Sequence, residues 1–124
     1  MDRKALSRAY KQHRPPMGVY RVHCTATGHS LVAASRDVPS ILNRHRAQLS
    51  LGAHPTKALQ ADWHAHGPAS FVFEVLDTLT PREDAPDHDP LPDLVVLEDL
   101  WLEKLSLSAD RRYTIDPRRL PPAP

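Results

Sequence analysis

Eight histidines, one cysteine and twelve arginines are the residues of this 124-residue chain with the most chemistry to offer. The histidines invite a zinc reading. His64 and His66, however, are one residue apart and point to different sides of a helix, and no Cys-x-x-Cys or His-Glu-x-x-His run accompanies them. A structural zinc site is therefore not expected. Cys24 falls in a β-like run, where a lone thiol reads as a small buried residue rather than a nucleophile. Four ungrouped glycines leave no loop able to cradle a phosphate. Glu98 is better placed: one residue after Leu97 and three before Trp101, it sits at the edge of an apolar helical stripe instead of on a solvated face. Arginine outnumbers lysine twelve to four, which favours bidentate phosphate contacts and equally fits a bias in base composition.

The elements that must position these residues follow from period and punctuation. Arg3 to Gln12 lacks Gly and Pro and reads as a short basic helix halted by Pro15-Pro16; its few apolar residues leave it in need of something to pack on, a second copy in a homodimer being one candidate. From Gly18 to Thr25 apolar and polar residues alternate, and Ser30 to Ala34 is a second apolar run; Ala26-Thr27-Gly28 between them supplies a turn, so a β-hairpin is predicted. Asp37-Val38-Pro39 starts a helix carrying Ile41, Leu42, His45, Gln48 and Leu49 at helical spacing, with Gly52 as its stop. Thr56 caps a second helix, Lys57 to His66, ended by Gly67-Pro68. Phe71 to Leu76 reads as a buried strand. An acidic, proline-broken loop from Thr80 to Pro92 leads to a third helix, Asp93 to Leu105, with Leu94, Leu97, Trp101 and Leu105 on one face. A short strand is expected at Tyr113-Thr114-Ile115. The order β-β-α-α-β-α predicts an α+β domain, a small sheet packed by helices, over residues 17–115, with a basic extension at 1–16 and a proline-rich tail at 116–124.

The net charge of +1 hides a division. Residues 1–57 hold ten Lys and Arg against two acids, a net +8, and residues 58–124 hold six against thirteen, a net −7. A polyanion can dock on the first half. No run approaches the ~20 apolar residues of a membrane span, the first twenty residues lack the apolar core of a secretory signal, and a single cysteine forms no internal disulfide; the expectation is a cytoplasmic protein.

Gly18-Val19-Tyr20, Leu31-Val32-Ala33, Asn43-Arg44-His45, the run Lys57 to Trp63, the strand Phe71 to Leu76 and the acidic helix Leu97-Glu98-Asp99-Leu100-Trp101 together resemble, in order and spacing, the GIY-YIG nuclease family. The resemblance implies a DNA endonuclease using one Mg²⁺ or Mn²⁺ held chiefly by Glu98. Tyr20 matches the first signature tyrosine and His45 the helix histidine of many members, both on the side of the attacking water. Arg44 is the cation nearest the place of the family's phosphate-steadying arginine. Arg21, Arg36, Arg44, Arg46 and Lys57 are the basic residues expected to grip nucleic acid.

Several positions depart from the family pattern. Leu31 stands for the second signature tyrosine, Ala33 for its glycine, Ile41 for the helix arginine, and Thr114 where asparagine is frequent. Leucine cannot orient water and isoleucine cannot bind phosphate, so a second expectation stands beside the enzyme: a catalytically inactive nucleic-acid-binding module of the same fold. A third is a protein contact made by the acidic loop Arg82 to Asp93 or by the tail. With no room for a further specificity domain, weak sequence selectivity is expected.

Overall fold

The structure, a computed structural model, describes residues 15–80, 88–107 and 111–113. The expected helix at Arg3–Gln12, most of the acidic loop, the tail and residues Thr114 and Ile115 lie outside the described residues.

The hairpin forms as the alternation requires, with β1 (Met17–Cys24) antiparallel to β2 (Ser30–Ser35). Its turn closes through Gly28 N–H on the Cys24 carbonyl at 2.9 Å, and Gly28 has the positive φ of 80° that makes glycine necessary there. Asp37 caps α1 (Val38–Leu51), its carboxylate accepting from Ser40 N–H at 3.1 Å; Pro39 occupies the first turn, and Gly52 ends the helix in the left-handed conformation. Thr56 precedes α2 (Lys57–His66) but its side chain makes no capping bond, so the expected cap is positional only. A single 3-10 turn, Pro68–Ser70, leads into β3 (Phe71–Leu79), three residues longer than expected. Helix α3 (Leu91–Lys104) begins two residues earlier than expected, with Pro92 tolerated in its first turn.

The sheet order is β2-β1-β3, with β3 also antiparallel to β1. Gly18 faces Thr78 across the β1–β3 ladder so closely that a Cβ on it would lie 2.0 Å from the Asp77 carbonyl oxygen, a distance no side chain survives. Just beyond, the pairing shifts register between Val19 and Tyr20, because Leu76 is an extra residue on β3.

Strand alternation divides the buried residues between two faces. Tyr20, Val22 and Cys24 of β1, Leu31 and Ala33 of β2 and Phe71 of β3 share one face and pack with Val38 and Leu49 of α1, Leu59 and Trp63 of α2, and Tyr113. Burying a side chain of this size stabilises by roughly 1.5–3 kcal/mol. Val19 and Val32 belong to the other face, which α3 covers with Leu94. The outer edge of β2 is also occupied: Tyr113 N–H donates to the Ser30 carbonyl at 2.9 Å, and Ala34 N–H donates to Glu98 Oε1 of α3 at 3.2 Å. Of the strand expected at Tyr113-Thr114-Ile115 only Tyr113 is described, and next to it Arg112 forms a bridge with Ser30.

Candidate active site

The alternation that sends Val22 and Cys24 into the core also sends in Tyr20, which is only 2% exposed. Helix α1 crosses above it. His45, one turn before Leu49 on the buried stripe of that helix, lies with Nε2 2.8 Å from the Tyr20 hydroxyl, ring centroids 5.4 Å apart. His45 in turn meets a residue that the periodicity of the chain does not single out: His54, in the loop between α1 and α2, has Nε2 2.8 Å from His45 Nδ1. Both histidines are buried. His54 falls between Gly52 and Thr56 in a segment that reads as connector, and only the folded turn brings it back onto α1.

The third component is Glu98. Its half-buried carboxylate spends Oε1 on the Ala34 amide, while Oε2 makes no hydrogen bond among the described residues. Burial pushes its pKa up, the Ala34 amide and Arg112 pull it down, and Asp99 adds to the rise. Tyr20 feels this group: burial, then the negative charge of Glu98, hold its phenol well above the usual tyrosine range, so it stays protonated at neutral pH. Burial lowers the pKa of His45 to about 4, with the neighbouring His54 and Arg44 contributing, so its imidazole is neutral.

The basic residues separate into two groups. Arg44 is exposed on α1 and Lys57 is exposed at the start of α2; neither makes an ion pair among the described residues. Arg21 points from the opposite face of β1 to Glu74, its partner across the ladder, and forms an ion pair with it. Arg36 pairs with Asp89 at 2.7 Å, and Arg46 lays its guanidinium over the Phe73 ring at 4.5 Å. The fold thus brings Tyr20 and His45 into contact and Glu98 within electrostatic reach of them, with Arg44 beside His45. It engages Arg21, Arg36 and Arg46 in contacts of their own. Leu31 and Ile41 do what their side chains allow: Leu31 is fully buried opposite Val22, and Ile41 packs against the same core.

Two solved structures share this arrangement of elements. The catalytic domain of the homing endonuclease I-TevI is similar over 81% of this chain and 98% of its own, with 23% identity and a TM-score of 0.61. A glutamate-to-alanine mutant of the catalytic domain of the intron endonuclease I-TevI gives 22% identity, coverage of 82% and 94%, and the same TM-score. The fold is that of a GIY-YIG nuclease catalytic domain. No family model matches the chain, and no curated protein matches it either.

Nucleases of the GIY-YIG fold are generally divalent-metal dependent, and the donors of this chain meet that requirement only in part. No group of three or more His, Cys, Asp or Glu side chains able to hold a metal occurs among the described residues. A single carboxylate is nevertheless the kind of protein ligand that Mg²⁺ accepts, because this ion keeps most of its waters and shares the rest of its sphere with substrate phosphates. The free Oε2 of Glu98 fits that requirement.

Proposed function

We propose that this protein is a divalent-metal-dependent nuclease that hydrolyses phosphodiester bonds of DNA with little sequence preference. The observation that carries the reading is the hydrogen-bonded Tyr20–His45 pair set within electrostatic reach of the half-buried carboxylate of Glu98. In this reading Glu98 holds Mg²⁺ or Mn²⁺ through Oε2; when bound, the ion supplies Lewis-acid stabilisation of the phosphoryl and leaving oxygens. Tyr20, nearly enclosed, meets the substrate through its hydroxyl alone and orients the attacking water. Arg44 offers its guanidinium to the phosphate whose charge grows in the transition state.

Leu31 and Ile41 remove two polar groups, and each well-placed group of that kind is worth ~2.7–4 kcal/mol. Turnover is therefore slow. The same two residues favour the second reading, a binding module of this fold without catalysis.

The deciding experiment incubates single-stranded, duplex and branched DNA with the protein and Mg²⁺ or Mn²⁺, comparing wild type with Glu98→Ala. Cleavage lost on chelation and in the variant supports the nuclease. Equal cleavage by both proteins refutes this site, and salt-sensitive binding without cleavage selects the second reading. Unrelated competitor DNA tests selectivity; strong preference for one short sequence contradicts it.

A further inference from the structure

The Tyr20–His45 pair continues inward through His54 to the backbone. His54 and His45 are stacked, with centroids 5.1 Å apart and planes 26° from parallel, and Thr56 N–H donates to His54 Nδ1 at 3.0 Å. His54 is held from its own backbone as well: its N–H donates to Gln60 Oε1 at 2.9 Å, and Gln60 Nε2 donates to the Leu49 carbonyl at 3.0 Å. The loop from Gly52 to Thr56 is thereby tied to both helices, and the imidazole cannot be re-aimed without breaking buried bonds.

A backbone amide nitrogen can only donate, and this sets the direction of every bond that follows. Nδ1 of His54 must keep its lone pair for Thr56, so the proton of the neutral ring is on Nε2, and that proton is donated to His45 Nδ1. His45 Nδ1 is then an acceptor, so its proton is also on Nε2 and is donated to the oxygen of Tyr20. The hydrogen of the phenol is left pointing away from His45. Burial, which lowers the pKa of both imidazoles, keeps the two rings neutral and the chain intact. The Thr56 backbone also pulls the His54 value upward, but the atom in hydrogen-bond range of Nδ1 is the amide nitrogen, and the tautomer follows from it.

We infer that His54 is a positioning residue: taking its direction from the Thr56 amide, it locks His45 in the Nε2–H tautomer and so presents Tyr20 as a hydrogen-bond donor, unable to hand its proton to His45. The tautomer stands on the geometry alone; the use of Tyr20 as a donor to water or phosphate rests on the nuclease reading. His45 is thus excluded as the base that deprotonates Tyr20. If the phenol were to lose its proton elsewhere, His45 Nε2–H would stabilise the phenolate.

The test is nitrogen NMR of the protein with ¹⁵N-labelled histidine at neutral pH, which distinguishes protonated from unprotonated ring nitrogens and requires no activity. The expected spectrum has Nε2 protonated and Nδ1 unprotonated at both His45 and His54. A wild-type spectrum with Nδ1–H at His45 or His54 overturns the proposal whatever the enzyme does. In His54→Leu, His45 loses its single tautomer and DNA cleavage falls about 10–100-fold, the range for removing a group that orients an imidazole. His54→Gln, whose amide offers an acceptor and a donor together, recovers part of both. A folded His54→Leu protein with His45 still wholly Nε2–H, cleaving as wild type, also overturns it. Absence of cleavage by wild type, with the expected tautomers observed, removes the nuclease reading and leaves the lock standing.

Discussion

The phenol oxygen of Tyr20 is both a structural acceptor and the proposed reactive group, and Tyr20→Phe separates the two roles. Removing it leaves the Nε2–H of buried His45 without its partner, at a cost of about 1–3 kcal/mol. If the hydroxyl orients the attacking water, cleavage falls further than stability explains, by about 10²–10³-fold. Denaturant titration beside cleavage rates checks this; unchanged cleavage in the variant removes Tyr20 from the chemistry. The two histidines predict an acid dependence. His45 titrates at about 4 when folded against 6.5 as the unperturbed value. Between those values the unfolded chain binds more protons, so stability is full above pH 6.5 and declines as pH falls toward 4, by at most about 1.4 kcal/mol per pH unit for each such group. His54 shifts in the same direction. Glu98, raised above its usual 4.5, opposes them, since its protonated folded form gains as the pH drops. The urea midpoint should fall from pH 6.5 to 5, and His45→Gln should flatten that slope; a constant wild-type midpoint contradicts the burial of neutral imidazoles. Tyr20, His45 and Glu98 were legible in the sequence because each stands in a periodic element with neighbours that resemble a known motif. His54 was not, because its partner lies across a turn whose path depends on Gly52 and Gln60, and no local pattern encodes that return.

Helices and strands were the more readable level, and the reasons are local. Asp37, Gly52 and Gly67 act where their backbone chemistry puts them, as a side-chain cap and two glycine stops, and each marks a boundary within a residue. The end of β3 was hidden because Asp77-Thr78-Leu79 breaks the apolar run. Pairing with β1 extends the strand to Leu79, while Trp101 donates its indole N–H to Asp77 at 3.0 Å. The start of α3 was hidden by Pro92, which interrupts helices except in their first turn. Gly18 connects this level to the site. Its lack of a side chain lets the Asp77 carbonyl approach β1 immediately before the register shift that precedes Tyr20. Gly18→Ala places a methyl group on that oxygen, so the strands must separate; overpacking typically costs about 1–3 kcal/mol, and a clash with backbone falls at or beyond the upper end. The prediction is a lowered thermal midpoint together with loss of the His45–Tyr20 hydrogen bond, seen as a shifted His45 ring resonance. A variant with wild-type stability contradicts the close approach.

At the scale of the molecule, among the described residues, arginines of the basic first half pair with acids of the second. The Arg21–Glu74 and Arg36–Asp89 pairs both join one half to the other, and Arg112, bridged to Ser30 on the outer edge of β2, acts electrostatically on Glu98. Pairs as exposed as these contribute about 0–1 kcal/mol to stability, but they remove two arginines from the cationic surface otherwise offered to a polyanion. A tally along the chain overstates that surface, since charge counted by position takes no account of partners across a sheet. Arg44 and Lys57 keep their charge unpaired among the described residues, and Arg44 lies beside His45. If DNA binds over the Tyr20–Glu98 side, these two residues are candidates among the described residues for phosphate contacts. Duplex affinity measured against salt by fluorescence anisotropy should fall as salt rises, and Arg44→Ala and Lys57→Ala should each make the logarithmic slope shallower by about 0.9. Arg21→Ala, on the opposite face and already neutralised, should leave the slope as it is. A slope reduced by Arg21→Ala and untouched by Arg44→Ala would place the nucleic acid on the face of the sheet opposite Tyr20, out of reach of its hydroxyl.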